Sequence, residues 1–156
     1  MKRIILPFLL LFAMCACDST AVQEPEPVIV SNMLISFDYM QSEFAAAAVL
    51  DENGVLRADI TKPENIKGLS IVCGADGVKT VCGSLESDAG EGYIPFADFY
   101  DAVSFIKKNK PVSTQKNGKN IIFGYENGAK KYKVCFDTEK NKTVNIETPL
   151  CVYDLR

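Results

Sequence analysis

Cysteine is the residue type most able to do chemistry here, and the chain has six. Cys73, Cys82, Cys135 and Cys151 lie in the body of the sequence, and none is spaced as CxxC. That excludes the usual thioredoxin-like dithiol and the zinc-ribbon ligand pairs. In an oxidising compartment these four are candidates for disulfides with three connectivities open, and in a reducing one they are buried small hydrophobes. Histidine is absent. Without it there is no Ser-His-Asp or Cys-His nucleophile, no imidazole metal ligand and no imidazole pH switch. Asp98 and Asp101 are three residues apart at the start of a helical pattern, where carboxylates complement the helix dipole. No catalytic residue, no metal site and no cofactor is expected.

The other two cysteines sit at the N-terminus, in Met14-Cys15-Ala16-Cys17. They follow Lys2, Arg3 and an apolar run from Ile4 to Met14 interrupted only by Pro7. A bilayer-spanning helix needs about 20 apolar residues, so this shorter run reads as the h-region of a signal peptide. An aliphatic residue, a small residue, Ala and then Cys is the pattern of a lipobox, which the tetrapeptide resembles. Residues 1–16 are then the signal, and Cys17 carries a diacylglyceryl thioether. Two acyl chains are what stable membrane anchoring requires. The expected location is the extracytoplasmic face of a bacterial cell membrane, with the membrane itself as first partner.

Residues 17–31 include Glu24-Pro-Glu-Pro27 and show no apolar periodicity, which suits a solvated spacer. Residues 32–156 are long enough for one domain with its own core. Beyond residue 16 there are 15 basic and 20 acidic side chains, so overall charge points away from nucleic acid. The charge is unevenly spread: residues 18–106 carry 15 acids and 4 bases, residues 107–156 carry 5 and 11. Compensation across strands of one sheet is the favoured reading. A basic end formed by Lys116, Lys119, Lys130, Lys131 and Lys133, facing anionic head groups, is the alternative.

The elements that must position these residues read mostly as strands. Leu34–Tyr39 and Glu43–Leu50 flank a short polar break, and Asn53-Gly54 is a turn before Val55–Ile60. Leu69–Cys73 and Val78–Cys82 form a hairpin about Ala75-Asp76, with Cys73 opposite Val78. Cys73 and Cys82 are then roughly 13 Å apart along the strand direction, too far for a bridge. Phe96, Phe99, Tyr100, Val103 and Ile106 recur at helical spacing, predicting one amphipathic helix over about 95–108. Lys119–Tyr125 and Lys131–Phe136 form a further hairpin about Asn127-Gly128, followed by Thr143–Ile146 and Leu150–Tyr153. The fold class is α+β: a mainly antiparallel, curved half-barrel sheet covered by that helix.

The stretch Asp51–Glu86 carries a resemblance, through Gly54-Val-Leu-Arg-Ala-Asp-Ile-Thr-Lys-Pro63, Ile66-Lys-Gly-Leu69 and Gly83-Ser-Leu-Glu86. Tyr132–Asp137 and Thr143–Pro149 fit it too. With these, residues 33–155 resemble small clostridia-type bacterial lipoproteins related to the LolA-like half-barrel superfamily. The resemblance implies a concave apolar face that holds acyl chains or a partner, and it carries over no functional residue. Phe37, Tyr39, Phe44, Phe123 and Tyr125 are the candidate lining residues for a lipid or protein partner. The alternative is a structural or interaction lipoprotein with a filled core.

Overall fold

The computed structural model describes residues 26–89 and 94–156. The expected signal peptide, Cys17 and most of the expected spacer lie outside the described residues.

The first six strands form a meander in which each pairs antiparallel with the one before. They are β1 (Asn32–Tyr39), β2 (Ser42–Leu50), β3 (Leu56–Lys62), β4 (Ser70–Gly74), β5 (Gly77–Cys82) and β6 (Leu85–Asp88). Helix α1 (Ile94–Ile106) follows. A second meander comprises β7 (Ser113–Asn117), β8 (Asn120–Asn127), β9 (Lys130–Asp137), β10 (Lys142–Glu147) and β11 (Val152–Leu155). The spatial order is β6-β5-β4-β3-β2-β1-β11-β10-β9-β8-β7. The two meanders join where β1 pairs with β11, through Ile35↔Leu155 and Ser36↔Asp154. The edges β6 and β7 do not pair with each other, so this large curved sheet is open. The fold is therefore α+β, as the periodicity indicated.

This order dictates where the helix goes. The chain leaves the first meander at one edge of the sheet and re-enters at the opposite edge, with α1 between. At about 1.5 Å per residue its 13 residues cover roughly 20 Å of that crossing. Phe96, Phe99, Ala102, Val103 and Ile106 are buried in the same core as the inward residues of the sheet. Tyr100 is half-buried at the side of that stripe. The helix ends at Ile106, so Lys107 and Lys108, expected inside it, belong to the loop toward β7.

Strand faces follow the period-two pattern. Met33, Ile35 and Phe37 on β1 and Tyr132, Val134 and Phe136 on β9 are all buried, while their sequence neighbours, Asp137 apart, are exposed or half-buried. The alanine run of β2 is held as strand because it pairs on both sides, for example Ala48 with Met33 and with Ala58. Ala46, Ala48 and Ala58 keep the inner face there shallow and are buried. The β4–β5 turn has Gly74 paired with Gly77, and Cys73 lies opposite Val78 as expected. Gly77 has φ +109°, a conformation that L side chains rarely adopt.

Two strands were not anticipated. Every residue of β6 and β7 is exposed, so neither carries an apolar alternation from which a strand could be read. Both are edge strands, which stay soluble through short length and polar or charged residues such as Glu86, Asp88 and Lys116. Farther along, β11 begins at Val152, because Leu150 and Cys151 are used in a turn organised by Thr148.

Candidate functional site

The five aromatics expected to line a concave site divide into two groups. Phe37 is 4% exposed, and Phe123 and Tyr125 are 2% exposed. Phe37 lies edge-on to Phe96 of α1 at 5.3 Å between ring centres and 5.0 Å from Tyr153. Phe99 stands 4.9 Å from Tyr153, and Phe105 is 5.8 Å from Tyr132. These spacings are those of packed aromatic pairs, which prefer offset or edge-to-face contact. The concave face is thus occupied by the side chains of α1. Tyr39 and Phe44 form the second group, half-buried against the core, with Phe44 stacked on Phe37 at 5.3 Å.

Asp98 and Asp101 hold the helix to the sheet. Thr148, 7% exposed, donates its hydroxyl proton to Asp98 Oδ2. The same hydroxyl oxygen accepts the backbone N–H groups of Leu150 and Cys151 at 3.1 and 3.0 Å. Tyr153 donates to the Pro95 carbonyl at 2.7 Å and lies 3.2 Å from Asp98 Oδ2. Burial, with the Asp98 charge beside it, pushes the Tyr153 phenol far above its usual range. Asp101 accepts from Lys130 Nζ at 3.1 Å, which holds the ammonium charged and raises its pKa. Each carboxylate therefore ties α1 to the second meander.

The structure holds Cys73, Cys82, Cys135 and Cys151 as four separate thiols rather than as bridges. Cys73 lies on β4 and Cys135 on β9, six strand positions apart in the sheet. At about 4.8 Å per strand that is far beyond the 7 Å reach of a disulfide. Burial pushes the Cys73 thiol up to about 12 and also raises Cys135 and Cys151. A raised pKa keeps these sulfurs protonated and poorly nucleophilic.

The charged surface is more ordered than its composition suggested. Lys119, Lys130, Lys131 and Lys133 sit within 4 Å of Glu139, Asp101, Glu126 and Glu147 respectively. Four of the five lysines expected to form a basic end are thus paired. Among the described residues only Lys130–Asp101 joins residues 18–106 to residues 107–156, and no ion pair spans the β1–β11 seam. The other eight ion pairs each fall within one meander, while the net charges of the two remain opposite in sign. Asp59 is held below the usual carboxylate range by the Ser70 hydroxyl and by Arg57, against a smaller opposing effect of burial.

Clefts open at the outside of the sheet and at its rim. One groove of about 630 Å³ crosses the seam, bordered by Asp38, Glu43, Thr148, Cys151, Asp154 and Arg156. Another, about 440 Å³, separates Glu26–Ile29 from the end of α1 and Lys107–Pro111. Among the described residues no group of three or more Cys, Asp or Glu is arranged to hold a metal ion. No helix among them is long and apolar enough to cross a membrane.

Sequence reasoning missed Thr148 and Tyr153, whose partner Asp98 lies 50 or more residues away. The available signal was weak: one Thr before Pro149 and one Tyr in a short strand. The chain matches no protein-family model, and no curated protein is similar to it.

Proposed function

We propose that the chain is a membrane-anchored extracytoplasmic lipoprotein whose domain acts without catalysis, binding a partner through its outer surface. The observation that carries this reading is the occupied concave face: Phe37, Phe123 and Tyr125 are almost wholly buried in a core shared with Phe96, Phe99, Val103 and Ile106. An acyl chain seated there would have to displace α1, which is also tied by Asp98 and Asp101. The open, curved sheet with a helix in its hollow is the architecture expected from the strand and helix periodicities. In this chain the hollow serves as core.

The anchor half of the proposal rests on Met14-Cys15-Ala16-Cys17 after a short apolar run. Replacing Cys17 by alanine moves the chain from the membrane to the soluble fraction. Retention of that variant in washed membranes refutes the anchor. The binding half is tested by native mass spectrometry of the detergent-extracted protein. A mass equal to the chain plus its own anchor is expected. A further stoichiometric lipid, released only on unfolding, refutes the filled core and restores the hydrophobic-ligand reading.

A further inference from the structure

Among the described residues, Lys116 on β7 stands alone without a carboxylate within 4 Å, and the other unpaired cations surround the point where residues 26–30 meet the domain. Glu26, Pro27, Val28 and Ile29 form one wall of the 440 Å³ cleft, and Lys107, Lys108 and Lys110 stand on the other. On its opposite side the same segment, through Val28 and Val30, borders a small recess of about 40 Å³ with Lys142 and Arg156. All five basic side chains are exposed. Among the described residues none of them lies within 4 Å of a carboxylate. Val28, Val30 and Val112 are 48%, 49% and 63% exposed beside them. Glu26 shares the first cleft, and Asp154 and Glu147 border the seam groove together with Arg156. Asp51 and Glu52 follow Leu50, whose N–H donates to the Ser31 carbonyl. The collar is thus mixed in sign, with its five bases unpaired among the described residues.

Only eight residues separate Cys17 from Glu26, at most roughly 30 Å of chain at full extension. If Cys17 is lipidated, the collar is the part of the described domain that the anchor brings nearest the bilayer. A basic cluster with exposed apolar side chains is chemically matched to an anionic head-group layer, whose potential acts over about one Debye length. We infer that Lys107, Lys108, Lys110, Lys142 and Arg156 dock the domain on an anionic lipid surface, fixing its orientation about its own anchor. This deepens the anchor reading and rests on it.

The test uses the full lipidated chain on vesicles of phosphatidylcholine alone or with one quarter phosphatidylglycerol. Backbone hydrogen exchange of Lys107–Val112 is followed on both. Each lysine near such a surface multiplies the docked population about fivefold. Exchange on the anionic vesicles is therefore expected to be at least fivefold slower, and the difference is expected to vanish in roughly 0.5 M salt. The triple variant K107Q/K108Q/K110Q, with an unchanged far-ultraviolet spectrum, is expected to lose the slowing. Chain that sediments with both vesicle types but exchanges equally on both overturns the docking alone. Chain that sediments with neither overturns the anchor, and the docking with it. A triple variant that keeps the slowing overturns the role of the lysines.

Discussion

Replacing Phe99 by alanine tests whether the hollow of the sheet is core or a seat for a ligand. Phe99 has no exposed surface and packs 4.9 Å from the Tyr153 ring. Its neighbours are also fixed: Tyr153 is held by the Pro95 carbonyl, and Phe96 lies against Phe37. A site walled by such groups relaxes little, so the variant loses both the transfer free energy of the ring and the contacts around the space it leaves. Buried Phe→Ala changes cost about 3–5 kcal/mol. The tethered surroundings place this one at about 4 kcal/mol or above, a large part of the roughly 5–15 kcal/mol that a domain holds in total. Urea unfolding followed by far-ultraviolet circular dichroism gives the midpoint and the slope. A lower midpoint at unchanged slope is expected. Ile94→Ala is the control, since Ile94 is 44% exposed on the same helix; it should cost under about 1 kcal/mol. If Phe99→Ala cost no more than the control, α1 would be a removable cover and the filled-core reading would be wrong.

Thr148→Val removes a donor from Asp98 and an acceptor from two backbone N–H groups. It should lower stability by about 2–3 kcal/mol, and a thermal midpoint equal to that of the parent would count against the network. Cys73 titrates at about 12 in the folded chain against an ordinary 9.0. Its contribution is fully present below pH 9 and is lost as pH rises toward 12. The slope should be about 1.4 kcal/mol per pH unit. Tyr125, pushed by burial from 10.0 to about 12, steepens the loss above pH 10. Denaturant midpoints measured from pH 8 to 11 should fall accordingly, and Cys73→Ala, though less stable at pH 8, should show the shallower fall. Gly77→Ala forces a side chain to φ +109° and should cost about 1–3 kcal/mol; an unchanged midpoint would show that the turn adopts another conformation.

The amino-acid order alone settled the parts of this protein that depend on neighbours in sequence. Period-two alternation marks β1, β3, β8 and β9, because one face of each meets the core and the other meets water. The spacing of Phe96, Phe99, Val103 and Ile106 marks α1 for the same reason at helical period. Gly77 and Gly128 mark turns because glycine tolerates the positive φ that these reversals demand. The absence of histidine and the missing CxxC spacing bound the chemistry without any coordinates. β6 and β7 stayed hidden because edge strands exposed on both faces leave no burial pattern to read.

Only the tertiary structure decided whether the apolar face is a site. Phe37, Phe123 and Tyr125 have the same sequence signature whether they line a cavity or fill a core. The difference lies in the return of the chain from β6 to β7, which puts α1 in the concavity. Strand order was likewise needed to show that the four cysteines do not converge, and that Thr148 and Tyr153 reach Asp98. Composition counted the positive charges of the second meander, but ion pairing is a matter of distance. Four of its lysines find carboxylates within their own meander or on α1, and, Lys116 on β7 apart, the exposed cations left over among the described residues gather around Glu26–Val30.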